Sequence, residues 1–462
     1  MAINTGTLRA YDITAAATAA GEGTAPDQRR IYNFGDRIIK LNPNAQKFLT
    51  FLMALRKFPT DDPVFRYLQD RRATSWTGRD FYLAADVYSS ATVSEGSTYA
   101  FSVDDGTSAS IDWLKNGDLF NVITAYGTSG FSAVTVRVEG AVTDAGATST
   151  FNGKIIQVAA GGVATGTSDQ LDDGDRCQYV GNAFDEDAGA PDSVSETLGD
   201  AFGNCQYIKH SFEMTEIAIA TKYRGYGNEW NPLWELTMAE HKASLARTML
   251  IGPPKGTVSN IRYSDSLFGM ILDNGTYVTD NSVLSYSAGT PFLRTMAASE
   301  AIYDRFVTDF QVIYDPARGS SEEKIGLCAM DVWTYFNRFV SGSGYLDQSV
   351  NGTEVRFNRP LPLTPNEAVL GIKVNTVETG NGTMHLVREA ILRGPYRQLL
   401  LLADMNNLAY RPLVGNGLNL DTRVRANVQN PDEPIRKYVM ETVAGLEIGM
   451  EESHMAYIIE GL

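Results

Sequence analysis

The amino-acid sequence predicts an α+β fold that carries a small all-β module as an insertion. Alternating polar and apolar residues from Gln206 to Ala220 predict one long strand, and a long helix is predicted from about Asn231 to just before Gly252. Residues 86–203 differ in composition, because they are rich in small residues and contain short β-patterned runs between turn signals. With 462 residues, 43% of them hydrophobic, the chain is long enough for two or three domains with a sizeable core.

The first 60 residues are predicted to form an N-terminal arm. They are small and polar at the start, and only the stretch from Asn44 to Lys57 has the apolar spacing of a short amphipathic helix, with Asn44 as N-cap. Residues 1–85 contain 12 Lys and Arg against 8 Asp and Glu, a local net charge of +4. The most basic patch is interpreted as a contact with an acidic neighbouring subunit; it consists of Arg66, Arg71, Arg72 and Arg79. For this patch a solvated surface is favoured over a contact with DNA.

The inserted module, placed at residues 87–203, is predicted to be all-β and acidic. Its clearest strand signals are Phe131–Val138 and Lys154–Val158, which flank an Asn-Gly turn signal at residues 152–153. Between residues 86 and 203 there are 18 acidic and 4 basic side chains, so this segment carries −14 of the net charge of −16. Such a chain is a poor candidate for gripping nucleic acid, since phosphate contacts need Lys and Arg.

The long helix has good start and stop signals. Asn231 can cap its N-terminus, Pro232 is then at the first helical position, where no backbone N–H is needed, and Gly252-Pro253-Pro254 ends the helix. Its apolar residues cover two faces, which predicts burial on more than one side. Beyond it the pattern is mixed, with helices predicted at 297–310 and 331–340, strand-like runs up to residue 428, and a final strand pair at 438–448 and 455–459. Asn-Gly pairs, including those at 274, 381 and 416, are interpreted as hairpin turns.

Few residues suggest catalysis or metal binding. The four histidines and three cysteines lack the spacing of a zinc site or a Cys/His pair, and no nucleophile-elbow or phosphate-loop motif is present, so no catalytic residue and no cofactor are predicted. The weak calcium candidates are Asp172, Asp173 and Asp175, whose loop lacks the EF-hand spacing. No signal peptide and no membrane-spanning run are visible, so no membrane partner is expected.

The order of these elements resembles the major capsid proteins of tailed double-stranded DNA bacteriophages, which have the HK97-like fold. The stretch Asn228–Gly252 resembles the long spine helix of that fold. Residues 116–118 through 134–136, with 173–175, resemble a β module found in some of these proteins, and Met440 to His454 resembles their closing strands. The resemblance covers most of the chain from about residue 31. It depends on the order of the predicted elements and on their general composition, and no single motif carries it.

The resemblance implies a division of the chain into five parts. These are an N-terminal arm (1–60), an extended hairpin loop (61–86 and 204–227), the inserted β module (87–203), a peripheral domain (228–254 and 436–462) and an axial domain (255–435). It also implies a function as a shell subunit in the virion, assembled in the host cytoplasm as hexamers and pentamers. Packaged DNA would be touched weakly and non-specifically, and a decoration or scaffold protein is a further candidate partner.

The extended hairpin would lie over a neighbouring subunit. The residues that we take as candidates for contacts between subunits are Arg66, Arg71, Arg72, Arg79, Lys209, Glu213, Lys222 and Arg224. Some relatives crosslink through a loop lysine, but neither Lys209 nor Lys222 can be paired with an asparagine from the sequence. The alternatives are another phage structural protein, of the tail or decoration class, and a hydrolase with two carboxylates. The long two-faced helix argues against the first, and no recognisable carboxylate pair supports the second.

Overall fold

A computed structural model of the chain describes its helices, strands and most connecting turns. The described residues are 48, 50–51, 56–70, 79–87, 94–106, 109–124, 132–158, 171–190, 198–221, 229–279, 282, 284, 290–299, 301, 303–340, 347–350, 353–356, 363–369 and 372–462. Five helices are bounded within these ranges: α1 (Glu216–Ala220), α2 (Trp230–Ile251), α3 (Leu267–Asn274), α4 (Tyr303–Ile313) and α5 (Met330–Val340). The predicted long helix is therefore confirmed as α2, and the helix predicted at 331–340 as α5. The predicted N-cap of α2 is wrong, because the helix begins at Trp230 and Asn231 lies inside its first turn.

The strands of the first half, in chain order, are β1 (Arg56–Lys57), β2 (Val64–Gln69), β3 (Asp80–Leu83), β4 (Thr98–Asp104), β5 (Asp118–Thr124), β6 (Ser132–Asp144), β7 (Ser149–Val158), β8 (Arg176–Asn182), β9 (Gly199–Asn204) and β10 (Gln206–Thr215). The strands of the second half are β11 (Gly256–Val258), β12 (Ile261–Tyr263), β13 (Thr276–Thr279), β14 (Phe292–Ala297), β15 (Glu323–Cys328), β16 (Asp347–Val350), β17 (Thr353–Arg356), β18 (Leu363–Val369), β19 (Ile372–Thr379), β20 (Gly382–Arg388), β21 (Leu399–Ala403), β22 (Leu408–Pro412), β23 (Val414–Gly415), β24 (Leu418–Asn419), β25 (Arg423–Arg425), β26 (Ile435–Ile448) and β27 (Met455–Glu460).

The inserted module is a closed six-stranded barrel in the order β3-β4-β7-β6-β5-β8. Among the described residues, its core is made only of residues of the insertion, including the ring cluster of Phe81, Phe101, Phe120 and Phe151. The predicted limits of 87–203 need correction, because β3 begins at Asp80 and the last barrel strand ends at Asn182.

The Asn-Gly pair at 152–153 is not a turn. It lies inside β7, where a Cβ on Gly153 would stand 2.6 Å from side-chain atoms of Phe101 and Val136. The glycine is needed there for close packing inside the barrel. By contrast, Asn416 and Gly417 do form a hairpin turn between β23 and β24, with φ of 50° and 76°. The pair at 274–275 ends helix α3 instead.

A two-stranded ribbon of β2 and β9, which we call the β2–β9 ribbon, leads into and out of the barrel. The sequence predicts that the returning strand of the hairpin is Gln206–Ala220. In the structure the strand that pairs with β2 is β9, whereas β10 pairs with β26 in a separate sheet of order β1-β22-β26-β10. The predicted strand is also too long: it ends at Thr215, whose hydroxyl accepts a hydrogen bond from the backbone N–H of Ala218 and so caps helix α1.

The largest sheet has eight strands, in the order β13-β14-β27-β21-β15-β20-β19-β18. Its strand β21 explains the run of four leucines at 399–402. Leu399 and Leu401 face a core that includes helix α2, while Leu400 and Leu402 face a second core that includes helices α4 and α5. A strand covered on both faces has no polar side, so its sequence does not alternate.

Some other boundaries also differ from the sequence-based expectation. The helix predicted at 297–310 begins only at Tyr303, because residues up to Ala297 belong to strand β14. The amphipathic stretch predicted to run to Lys57 ends earlier, because Arg56 and Lys57 form strand β1 in parallel with β22.

The chain divides into two compact units. One contains residues 1–44, 211–239 and 426–439, and the other contains the remainder. In the first unit, the described residues include a cluster of four aromatic rings, Phe212, Trp230, Trp234 and Tyr438, with centroids 4.8–6.4 Å apart. The second unit contains the barrel, the β2–β9 ribbon and the eight-stranded sheet.

Removal of the barrel is expected to leave the rest of the subunit folded. Gln69 and Gly199 are paired across the β2–β9 ribbon, so residues 70–198 can be replaced by a two-residue Asn-Gly turn without moving either strand. Since no described residue from outside the insertion belongs to the barrel core, urea unfolding of the shortened chain should retain a cooperative transition at about the wild-type midpoint. Assembled particles should be less stable to heat. A shortened chain without cooperative unfolding would show that the barrel is not an independent module.

Candidate assembly surfaces and buried polar clusters

The β2–β9 ribbon exposes large apolar side chains. Leu68 is 67% exposed and Phe202 is 47% exposed. Across the ribbon, Nη1 of Arg66 lies 2.7 Å from a carboxylate oxygen of Asp200. An ion pair that is open to water contributes little to stability, but it holds the two strands in register next to the apolar residues. Exposed leucine and phenylalanine on a narrow ribbon are typical of a surface that another protein covers.

Beside the ribbon there is an open groove of about 460 Å³. Its lining residues are Phe58, Arg66, Tyr67, Leu68, Asp200, Arg411 and Glu447. The guanidinium of Arg411 lies 5.0 Å from the ring centroid of Phe58 and is paired with Glu447. The groove therefore combines an apolar wall with fixed charges of both signs, as recognition surfaces do.

The four contact candidates that the structure describes do not form one site. Arg66 is on the ribbon, whereas Arg79 packs over the rings of Trp113 and Tyr179 in the barrel, at 4.6 and 5.3 Å. Lys209 lies 4.0 Å from the ring centroid of its neighbour Tyr207. Glu213 pairs with Lys437 at 3.0 Å. The remaining four candidates lie outside the described residues; they are Arg71, Arg72, Lys222 and Arg224.

The weak calcium candidates form part of a tight turn before strand β8. A carboxylate oxygen of Asp175 accepts a hydrogen bond from the backbone N–H of Asp172, and burial raises the pKa of Asp175. The N–H of Asp173 donates to Asp86. Among the described residues, no three His, Cys, Asp or Glu side chains are grouped as metal ligands. The contacts in this turn are those of carboxylates that order a loop backbone.

A buried carboxylate that the sequence analysis missed joins three neighbouring groups. Glu441, on strand β26, accepts hydrogen bonds from Tyr207, Arg423 and Arg425. Burial alone would raise the pKa of Glu441, but these hydrogen bonds and the two arginine charges lower it. The signal in the sequence was the spacing of the two arginines, which places both on one face of β25, next to β26.

A second missed cluster is fully buried and includes Lys324, Asp404 and His454. The ammonium of Lys324 donates to the carbonyl of Ser453 at 2.6 Å and lies 3.6 Å from the carboxylate of Asp404. Nδ1 of His454 accepts from the backbone N–H of Asp404 at 3.2 Å, so the ring is neutral. Burial, followed by the charge of Lys324, lowers the pKa of His454 to about 4.

The His454 ring is expected to make the subunit acid-sensitive. Its pKa is about 4 when folded and about 6.5 when unfolded, so its contribution to stability is complete above pH 6.5 and is lost as the pH falls from there to about 4. The difference corresponds to about 3 kcal/mol. The variant His454→Asn can still accept the hydrogen bond but cannot be protonated, and its free energy of unfolding should depend less on pH in this window. Urea unfolding at pH 7, 5.5 and 4.5 measures this, and an identical pH dependence in both proteins would contradict it.

All three cysteine thiols are buried. Burial raises the pKa of Cys177 well above its ordinary value, and that of Cys205 to about 12. A thiol of this kind is a poor nucleophile at neutral pH, because the thiolate is the reactive form. The cysteines therefore act as small apolar side chains, Cys177 in the barrel and Cys328 against the carbonyl of Val387.

A comparison with protein families decides the identity of the chain. The sequence model described as "SU10 major capsid protein" matches residues 12–461. The chain belongs to the SU10 major capsid protein family. It is a shell-forming subunit of an icosahedral phage particle, and its place is the virion. The prediction of a tailed-phage major capsid protein is therefore confirmed. The described helices and strands also confirm the α+β fold class with its inserted all-β module.

Solved capsid structures resemble the capsid protein along nearly its whole length. The capsid of a native GTA particle is 8% identical, with 96% of this chain and 98% of that chain covered and a TM-score of 0.43. A structure of Mycobacterium phage Adephagia is also 8% identical, with 98% of each chain covered and a TM-score of 0.40. A structure of Microbacterium phage Oxtober96 is 10% identical, with coverages of 93% and 95% and a TM-score of 0.39.

A search of the curated proteins found no match. Within the part of the chain that the structure describes, none of the helices combines the length and the apolar character that crossing a membrane requires.

Proposed function

We propose that this capsid protein forms hexamers and pentamers in a closed shell around double-stranded DNA, and that the β2–β9 ribbon lies over a neighbouring subunit. The observation that carries the ribbon's role is its exposed apolar surface: Leu68 and Phe202 face water next to the groove of Arg411 and Glu447. Covering two such side chains removes apolar area from water, which stabilises a contact between subunits. Because every subunit of the shell makes this contact, a small change in its free energy has a large effect on assembly.

The proposed domains of the subunit follow one another in the order of the elements along the chain. The arm of residues 1–60 precedes the ribbon, and helix α2 and strand β26 belong to a peripheral domain. Residues 255–435 form an axial domain around the centre of each capsomer. Strand β27 belongs with this axial domain and not, as the sequence predicts, with the peripheral one, because it pairs with β14 and β21 in the eight-stranded sheet. The subunit is structural and catalyses no reaction. It assembles in the host cytoplasm, and a decoration or scaffold protein is a further partner.

Leu68→Asp/Phe202→Asp is expected to fold but not to assemble. An interface residue that is central and well packed typically contributes 2 kcal/mol or more, and a charge at the same place must also be desolvated. We expect the yield of closed shells in negative-stain electron microscopy to fall at least tenfold, with an unchanged circular dichroism spectrum. The matched control is Ile156→Asp/Val180→Asp, which changes two exposed apolar residues of the barrel. Shells of normal yield from the ribbon variant would rule out the ribbon as a contact.

The acidic barrel is proposed to face outward. With 18 acidic and 4 basic residues between positions 86 and 203, it would repel packaged DNA on the inside, whereas on the outside it keeps particles apart. The near-neutral remainder would then touch DNA weakly and without sequence preference. Image reconstruction of shells with and without residues 70–198 tests this orientation, because the missing density must lie on the outer surface. Loss of density from the inner surface would refute it.

A further inference from the structure

Two histidine rings meet between strand β10 and helix α2. Nδ1 of His210 lies 3.0 Å from Nδ1 of His241, and the rings are nearly perpendicular, at 85°. On its other side, Nε2 of His241 lies 2.8 Å from Oγ1 of Thr442, which in turn lies 2.9 Å from Oγ1 of Thr422. His241 is buried and His210 is half-buried. We call His210 and His241 the histidine pair.

The short distance between the two Nδ1 atoms restricts the number of protons that the pair can hold. Two lone pairs would repel each other at 3.0 Å, so one proton must lie between the nitrogens. With one further proton on the pair, one N–H still donates to a neutral ring nitrogen, so the contact between the rings is kept. A second further proton would put two N–H groups and two positive charges face to face. The hydrogen bond between the rings is therefore lost only when both imidazoles are charged.

The charged groups around the pair do not compensate for this second proton. On strand β10 the exposed Lys209 lies on the opposite face from His210, as alternation along a strand requires. Glu441 on strand β26 also faces away, because its carboxylate is bonded to Tyr207 and to Arg423 and Arg425 of β25. On helix α2, Glu240 is exposed and Lys242 is half-buried. The hydrogen-bonding partners of His241 are the ring of His210 and the hydroxyl of Thr442, both of them uncharged groups when the pair is neutral.

We propose that the histidine pair is a proton-operated fastener between strand β10 and helix α2, closed when the two rings carry no more than one positive charge and open when both are charged. The proposal is independent of how the ribbon or the barrel contributes to assembly. Burial, followed by the charge of His210, lowers the pKa of His241, which agrees with a late second protonation. The stability that the closed pair contributes is present above the ordinary histidine pKa and is lost as the pH falls below it.

The variant His210→Asn tests whether the behaviour of His241 comes from its contact with His210 or from its burial alone. The asparagine amide can donate to Nδ1 of neutral His241, and after a flip it can accept from protonated His241, so the contact stays closed in both states. Ring ¹³C–¹H spectra of the full-length chain labelled at histidine will resolve the titrations, because the sequence has only four histidines. We expect the titration midpoint of His241 to shift to higher pH in His210→Asn, since the repulsion by charged His210 is gone. An unshifted midpoint would overturn the proposal.

Amide hydrogen exchange measures whether the fastener opens. Below the midpoint of His241, exchange in helix α2 around residues 237–245, corrected for intrinsic rates, should accelerate about fivefold in the wild type, as expected for one lost hydrogen bond, and not in His210→Asn. His385→Asn is the matched control, because Nδ1 of His385 lies 3.2 Å from Oγ1 of Thr376, away from the pair. Equal acceleration in wild type and His210→Asn would overturn the proposal. A second result would also overturn it. If micromolar Zn²⁺ shifts the ring signals of both histidines and EDTA reverses the shift, the group shared by the two rings is a metal ion and not a proton.

Discussion

Replacing Asp309 by leucine is expected to lower the free energy of unfolding by about 3–5 kcal/mol. Asp309 on helix α4 forms a fully buried ion pair with Arg294 on strand β14, at 2.8 Å from Nε and 3.0 Å from Nη2. It also accepts a hydrogen bond from Tyr457 at 3.2 Å. Without the carboxylate, the guanidinium remains buried with its charge uncompensated. Urea unfolding of the purified subunit measures the loss.

The matched control removes all three polar groups together. Burying two charges carries a desolvation cost that their attraction only partly offsets, so apolar replacements of similar size are often neutral or better. We expect Arg294→Met/Asp309→Leu/Tyr457→Phe to recover most of the stability that Asp309→Leu loses. The carbonyl of Ser282 keeps a donor in this variant, since Arg305 also bonds to it. A triple variant as unstable as the single one would mean that the ion pair itself stabilises the fold.

Proline at position 245 is expected to abolish assembly and to unfold helix α2. Leu245 lies in the middle of the helix and is 5% exposed, in the core that also holds Ile208 and Leu446. Proline there removes one helical hydrogen bond and collides with the carbonyl of residue 241, at a cost of about 3 kcal/mol or more. The loss of the leucine side chain adds to it. Negative-stain microscopy should show no shells, and circular dichroism should show a loss of helix.

The variant Leu245→Ala distinguishes the effect of breaking the helix from the effect of losing the leucine side chain. This variant keeps the backbone hydrogen bond and leaves only a cavity, which costs about 2–5 kcal/mol. We expect it to retain helical circular dichroism and to form shells with a lower melting temperature. Normal shells from Leu245→Pro would contradict the role of α2 as the central helix of the subunit.

The long helix and the β module could be predicted because their signals are local. Pro232 and the Gly252-Pro253-Pro254 stop stand at the two ends of α2, and the acidic segment has the turn spacing of short strands. The limits of the barrel could not be predicted, because β3 is a four-residue strand and one of its two partners, β8, lies far along the chain. Strand β9 is Gly-rich and has weak strand propensity, so only its pairing with β2 identifies it.

The buried polar clusters could not be predicted from the sequence either. His210 and His241 are 31 residues apart, and Lys324 and His454 are farther still, so only the folded chain brings each set together. The alternation of Glu216-Ile217-Ala218-Ile219-Ala220 suggested a continuing strand, yet the cap at Thr215 turns these residues into a helix. Local patterns predicted elements, whereas pairing across the sheet determined the sites.

The burial of every thiol makes the capsid protein a convenient starting point for site-specific labelling. Maleimides react with the thiolate, which Cys177 and Cys205 hardly form at neutral pH, and Cys328 is buried as well. The native chain should therefore give almost no background with such reagents. A single cysteine placed at the exposed Ala147, in the turn between β6 and β7, would carry a fluorophore on the tip of the barrel. Its accessibility to membrane-impermeant quenchers in intact shells would report directly which side of the shell that tip occupies.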